Sequence, residues 1–131
     1  MISDWKIDIL GLQAVHVSGT KIKLVPATDE VSETWQIEPS DGDKLLLEEG
    51  IACYEHASAK QYLEHYLSKN NLSLEELIKI SNDHCTEKGY RERLTVDQLK
   101  SYLSDQALFP INAISIIRAA VYFYRKDKNQ N

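Results

Sequence analysis

The chain has 131 residues, 43% of them apolar and 27% charged, with a net charge of −5. That length fits one domain whose core needs no metal or disulfide staple, and two cysteines, Cys53 and Cys85, are too few for a secreted disulfide scaffold. The opening Met1-Ile2-Ser3-Asp4-Trp5-Lys6 is charged where a signal peptide needs an apolar run, and the longest apolar stretch is cut by Arg118, so a soluble cytoplasmic protein with no membrane attachment is expected.

The first third reads as strands. Trp5, Ile7 and Ile9 alternate with polar neighbours, and two runs rich in β-branched residues, Leu12 to Val17 and Thr20 to Val25, are joined at Ser18-Gly19 as a hairpin. Ile22 and Leu24 share one face and Lys21 and Lys23 the other, the pattern of a sheet covered on one side. Thr34 to Glu38 is a fourth strand with Trp35 and Ile37 inward. Pro39 to Asp43 is a turn by composition.

Beyond Lys44 the period lengthens to that of a helix. Leu47, Ile51, Tyr54, Ser58, Tyr62 and Tyr66 form a stripe that Asn70-Asn71 ends, and a helix from Ile51 to Ser68 follows. Gly50 weakens the first turns, which leaves Lys44 to Glu49 open as either helix or a fifth strand. Ser73 caps a second helix whose inner face is Leu74, Leu77, Ile78, Ser81 and Cys85. Thr86 to Arg93 reads as a charged linker. Thr95 with Gln98 three residues on is a capping box for a third helix with Leu99 inward. Leu94 to Leu103 resembles the first helix of a SAP-type nucleic-acid module. The likeness stops there, because the glycine and lysine-rich second helix of that family are missing.

Pro110 suits the first turn of the last helix, and eleven of the fourteen residues after it are apolar. Asn112, Ser115, Arg118, Tyr122 and Arg125 fall on one line, so this helix is expected to be buried on most sides with a narrow polar edge. The expected fold is α+β: a small antiparallel sheet of four to five strands packed against about four helices, in one domain over residues 1–126 with a frayed tail at 127–131.

No reactive constellation is organised in the sequence. Cys53-x-x-His56 and His84-Cys85 lack the paired knuckles of a zinc site, and adjacent helical residues diverge by about 100°. The five glycines are isolated, so no phosphate loop exists, and neither a catalytic residue, a metal nor a cofactor is expected. Charge is unevenly spread, however. Residues 1–85 hold fifteen acids against seven lysines, and residues 86–131 hold eight basic against five acidic groups, including all four arginines.

Two functional readings follow. In the leading one, the chain is a non-enzymatic adaptor, inhibitor or immunity-type regulator that touches another protein, or a second copy of itself. Asp29, Glu30, Glu33, Asp41 and Asp43 would steer a basic partner, and Tyr62 and Tyr66 would supply contact area. In the alternative, the last two helices form a helix-turn-helix, with Asn112, Ser115 and Arg118 toward bases and Arg91, Arg93, Lys100 and Arg125 toward phosphates.

Overall fold

A computed structural model of the chain describes residues 2–39 and 42–130, with residue 111 and residues 127–130 given by backbone alone. It shows a four-stranded antiparallel sheet followed by four helices, the α+β arrangement expected. The chain forms two compact units, residues 1–58 and 59–131. The frayed tail expected over 127–131 lies outside the residues whose side chains are described.

In the first unit, β1 (Trp5–Asp8), β2 (Gln13–His16), β3 (Lys21–Val25) and β4 (Thr34–Glu38) pair in sequence order. The register sets Ile7 opposite Ala14, Ala14 opposite Ile22 and Ile22 opposite Ile37, so one row of apolar side chains crosses the whole sheet. Side chains alternate faces along a strand, so Lys6, Lys23 and Gln36 fall on the opposite, wet side. The β2–β3 turn closes at Gly19, whose φ of 94° suits a residue with no Cβ.

Helix α1 (Lys44–Asn70) begins seven residues before Ile51, where the expected helix starts, which settles Lys44 to Glu49 as helix. Asp43 Oδ1 accepts from the Leu45 amide at 2.8 Å and caps it. Gly50 does not break this helix because it is where α1 lies against the sheet. A Cβ there would stand 2.6 Å from Trp5 Cη2 and 2.7 Å from Ile22 Cδ1. Around that approach, Trp35 meets Tyr54 edge to face at 5.0 Å, and the Tyr54 hydroxyl donates to the Ile9 carbonyl at 3.1 Å.

The second unit is built from the latter part of α1 with α2 (Leu74–Lys88), α3 (Val96–Leu103) and α4 (Ile111–Gln130). Ala59, Leu63, Tyr66, Leu77, Leu99, Phe109, Ile117 and Val121 are its core. Both α2 and α3 start with full capping boxes, Ser73 with Glu76 and Thr95 with Gln98, as the sequence spacing predicts. Helix α2 runs three residues into the expected linker and stops at Gly89, which is left-handed at φ 74°.

The linker that follows is held by one side chain. Asn82 Oδ1 accepts from the Leu94 amide at 2.9 Å, and Asn82 Nδ2 donates to the Leu94 carbonyl at 3.0 Å. Both bonds are partly buried, so Asn82→Ala strands a donor and an acceptor together. It is expected to lower the stability of the fold by about 1–3 kcal/mol in urea denaturation, and Asn82→Asp, which sets a carboxylate oxygen against the Leu94 carbonyl, should not restore it.

The last helix departs from expectation. Ala113, Ile117, Ala120 and Val121 are buried, but Asn112, Ser115, Arg118, Tyr122, Phe123, Arg125 and Lys126 are exposed. Helix α4 is therefore amphipathic, with one core-facing stripe and a broad wet flank, rather than a cylinder buried on most sides. Among the described residues, two of its four buried positions are alanines, which bring it close to the core without enclosing it. Its aromatic residues count as apolar in composition yet sit partly in water. Phe123, 41% exposed, stacks on His84 at 5.6 Å and lies under the Lys88 ammonium at 5.2 Å.

Candidate functional site

The exposed flank of α4 carries a group of aromatic and cationic side chains that meets α1. Tyr62 and Tyr66, one helical turn apart on α1, bring their ring centroids to 5.5 Å. The Arg118 guanidinium sits 5.2 Å above the Tyr62 ring, and Arg125, two turns further along α4, sits 5.9 Å above Tyr66. Tyr122, 62% exposed, falls between the two arginines on the same helix. Residues that the sequence assigned to two rival readings thus meet on one surface.

Tyr66 anchors this group. It is 4% exposed and its hydroxyl donates to the Val121 carbonyl at 3.4 Å. Burial pushes its phenol above the ordinary tyrosine range while nearby Arg125 pulls the other way, so the ring stays neutral at physiological pH. Tyr62, Tyr66, Val121, Tyr122, Arg125 and Lys126 line a hollow of about 370 Å³. No acidic side chain is among those lining residues. Chemically, the hollow offers flat aromatic surface, phenol tips and cations, a set suited to an anionic group carried on an apolar body.

The other expected site residues fall elsewhere. Asp29, Glu30 and Glu33 are exposed in the loop between β3 and β4, in the first unit. Asp43 is exposed too, but its carboxylate caps α1. Asp41 lies outside the described residues. Arg91 and Lys100 are exposed. The Arg93 guanidinium is spent on its own neighbourhood, donating to the Tyr90 carbonyl at 2.7 Å, the Glu92 carbonyl at 2.6 Å and Thr86 Oγ1 at 3.0 Å. Asn112 and Ser115 line a separate hollow with Tyr90 and Glu92, and the Asn112 side chain accepts from the Ala113 amide.

Tyr122, among the tyrosines, and Lys126, among the basic residues, are ones the sequence already singles out on the last helix. Tyr122 stands four residues after Arg118 and three before Arg125, so any helix exposing both arginines exposes it as well.

Among the described residues, no three His, Cys, Asp or Glu side chains converge as a metal would require, and no helix is long and apolar enough to cross a membrane. His84 and Cys85 illustrate why. The imidazole turns toward Phe123 and Tyr90, and the thiol lines a different cavity. Both cysteines are free and buried, and burial pushes the Cys53 thiol above its usual range. Comparison of the chain with protein-family models, curated proteins and solved structures returned no match.

Proposed function

We propose that the protein is a small non-enzymatic binding protein, an adaptor, inhibitor or immunity-type regulator, that covers an acidic surface of another protein with the tyrosine–guanidinium face of α1 and α4. The observation that carries this reading is the stacking of Arg118 on Tyr62 and Arg125 on Tyr66 beside a hollow whose lining, among the described residues, holds no acid. Tyrosine and arginine are the side chains that dominate binding energy at protein contacts. Guanidinium groups already held against rings lose less freedom when a partner arrives. Steering of a basic partner by the acidic loop is less well supported, since Asp43 is occupied as a cap and Asp29, Glu30 and Glu33 form only a solvated loop. The same reading takes the protein to be cytoplasmic, where Cys53 and Cys85 remain thiols.

Nucleic-acid binding is the second reading, favoured by one observation: the Asn112 to Arg125 flank of α4 is exposed. Against it, Glu92 shares the hollow of Asn112 and would face a phosphate unfavourably, and Arg93 is committed to holding its own loop.

A photo-crosslinking side chain at position 122 separates these readings. The expected result is a discrete crosslink in cells to an acidic protein, whose affinity for the purified chain falls about tenfold on Arg125→Ala. Crosslinks to nucleic acid, with binding that weakens steeply with salt, would transfer the surface to the second reading. A crosslink to a second copy would make it a homodimer face. If position 122 gives nothing while a control at position 100 on α3 does, the surface is not the site of contact.

A further inference from the structure

The second unit holds a cavity of about 190 Å³ whose walls come from α2, the pinned linker, α3 and the start of α4. Its lining includes Ser81, Cys85, Leu94, Tyr102, Ala113 and Ile116. Most of that surface is apolar. Asn82, Glu92, Arg93, Gln98 and Asn112 also border it, but Ser81 differs from them: it is 1% exposed, and its hydroxyl has no hydrogen-bond partner among the described residues. A buried hydroxyl without a partner is unfavourable by about 1–3 kcal/mol, and few native groups are left so. In a cavity it is also a point at which a bound molecule is recognised.

We propose that this cavity is a binding site for a small neutral molecule with an apolar body of about one ring and a single hydroxyl, carbonyl or amide group that pairs with Ser81. Size sets the body. An apolar protein cavity of about 150 Å³ accommodates benzene, so the present volume suits one ring and a substituent. The wall sets the charge. Arg93 and Glu92 both border the cavity with opposite charges, and the guanidinium already donates to the Tyr90 and Glu92 carbonyls and to Thr86 Oγ1, so the wall carries no net charge that would favour an anionic or a cationic ligand. Asn82 keeps the site in shape, since its two bonds to Leu94 fix the linker wall. The site is separate from the tyrosine–guanidinium face and does not depend on the function proposed for that face.

Phenol and benzene are the probes, titrated into the isotope-labelled full chain and followed through backbone amide shifts. Saturable shifts centred on Ser81, Leu94 and Ala113 are expected with phenol, and Ser81→Ala should weaken phenol about fivefold to tenfold while leaving benzene unchanged. That variant removes an unpaired buried hydroxyl and is expected to fold at least as well as the parent. Ile116→Trp, which fills the cavity from α4, should abolish binding of both probes. The proposal fails if neither probe gives saturable shifts. It fails equally if Ser81→Ala leaves phenol binding unaltered, since the cavity would then be an apolar gap without polar recognition.

Discussion

Truncating Leu99 to alanine is expected to lower the unfolding free energy by about 2–5 kcal/mol. Leu99 is 0% exposed and belongs to the same cluster as Leu77, Phe109, Ile117 and Val121. It is also the one fully buried residue of α3, a helix of eight residues. A helix that short is marginal on its own, and its capping box recovers only about 1 kcal/mol, so α3 keeps its conformation chiefly through this contact. Urea denaturation should show the midpoint falling, and hydrogen exchange should show α3 amides losing protection first. A loss below about 1 kcal/mol would mean that α3 is not held by Leu99. Leu99→Met, which nearly conserves volume, should lose less than about 1.5 kcal/mol.

Gly50→Val is expected to be comparably damaging in the first unit, by about 3 kcal/mol. Overpacking of a buried contact commonly costs about 1–3 kcal/mol, and a β-branched residue adds its own crowding in a helix. The reason is the approach of Trp5 and Ile22, both buried, to within 2.7 Å of where the first side-chain carbon would stand. Gly50→Ala is the sharper test of mechanism. Helix propensity alone favours alanine over glycine by about 1 kcal/mol, so a stabilised alanine variant would show that α1 can draw back from the sheet at no loss. The expected outcome has the opposite sign, a net destabilisation of about 1–2 kcal/mol read from the denaturation midpoint.

Gly50 also shows where the sequence was readable and where it was not. Taken as a local signal, a glycine lowers the expectation of helix, and it left Lys44 to Glu49 undecided between two conformations. The helix forms because tertiary contact outweighs propensity: the missing side chain lets α1 come close to Trp5 and Ile22. The strands were legible because alternation in Lys21 to Val25 and Thr34 to Glu38 needs only local spacing, and the capping boxes at Ser73 and Thr95 were legible for the same reason.

Helix α4 was half legible. Its polar line was read correctly, but its breadth was not, because composition counts Tyr122 and Phe123 as apolar and cannot tell which of them the core has room for. The pairing of Arg118 with Tyr62 and of Arg125 with Tyr66 joins residues more than fifty positions apart, and no periodicity within one helix reports such a meeting. The unpaired Ser81 hydroxyl was hidden for a related reason. Serine on an inner face usually bonds its own helix, and only the surrounding walls reveal that this one does not.

The strand order leaves β1 and β4 as the outer members of the sheet, each with one flank of amides and carbonyls not bonded within it. Open flanks of this kind invite neighbouring molecules to add strands and grow into fibrils. Here β1 is four residues long with Lys6 and Asp8 on it, and β4 is five residues long with Glu38 as its last residue. Brevity and charge at both borders discourage stacking of one copy on the next. Concentrated solutions of the folded protein are accordingly expected to stay clear of thioflavin-positive aggregates, and charge-neutral replacements at Lys6 and Glu38 are the changes that would remove this protection.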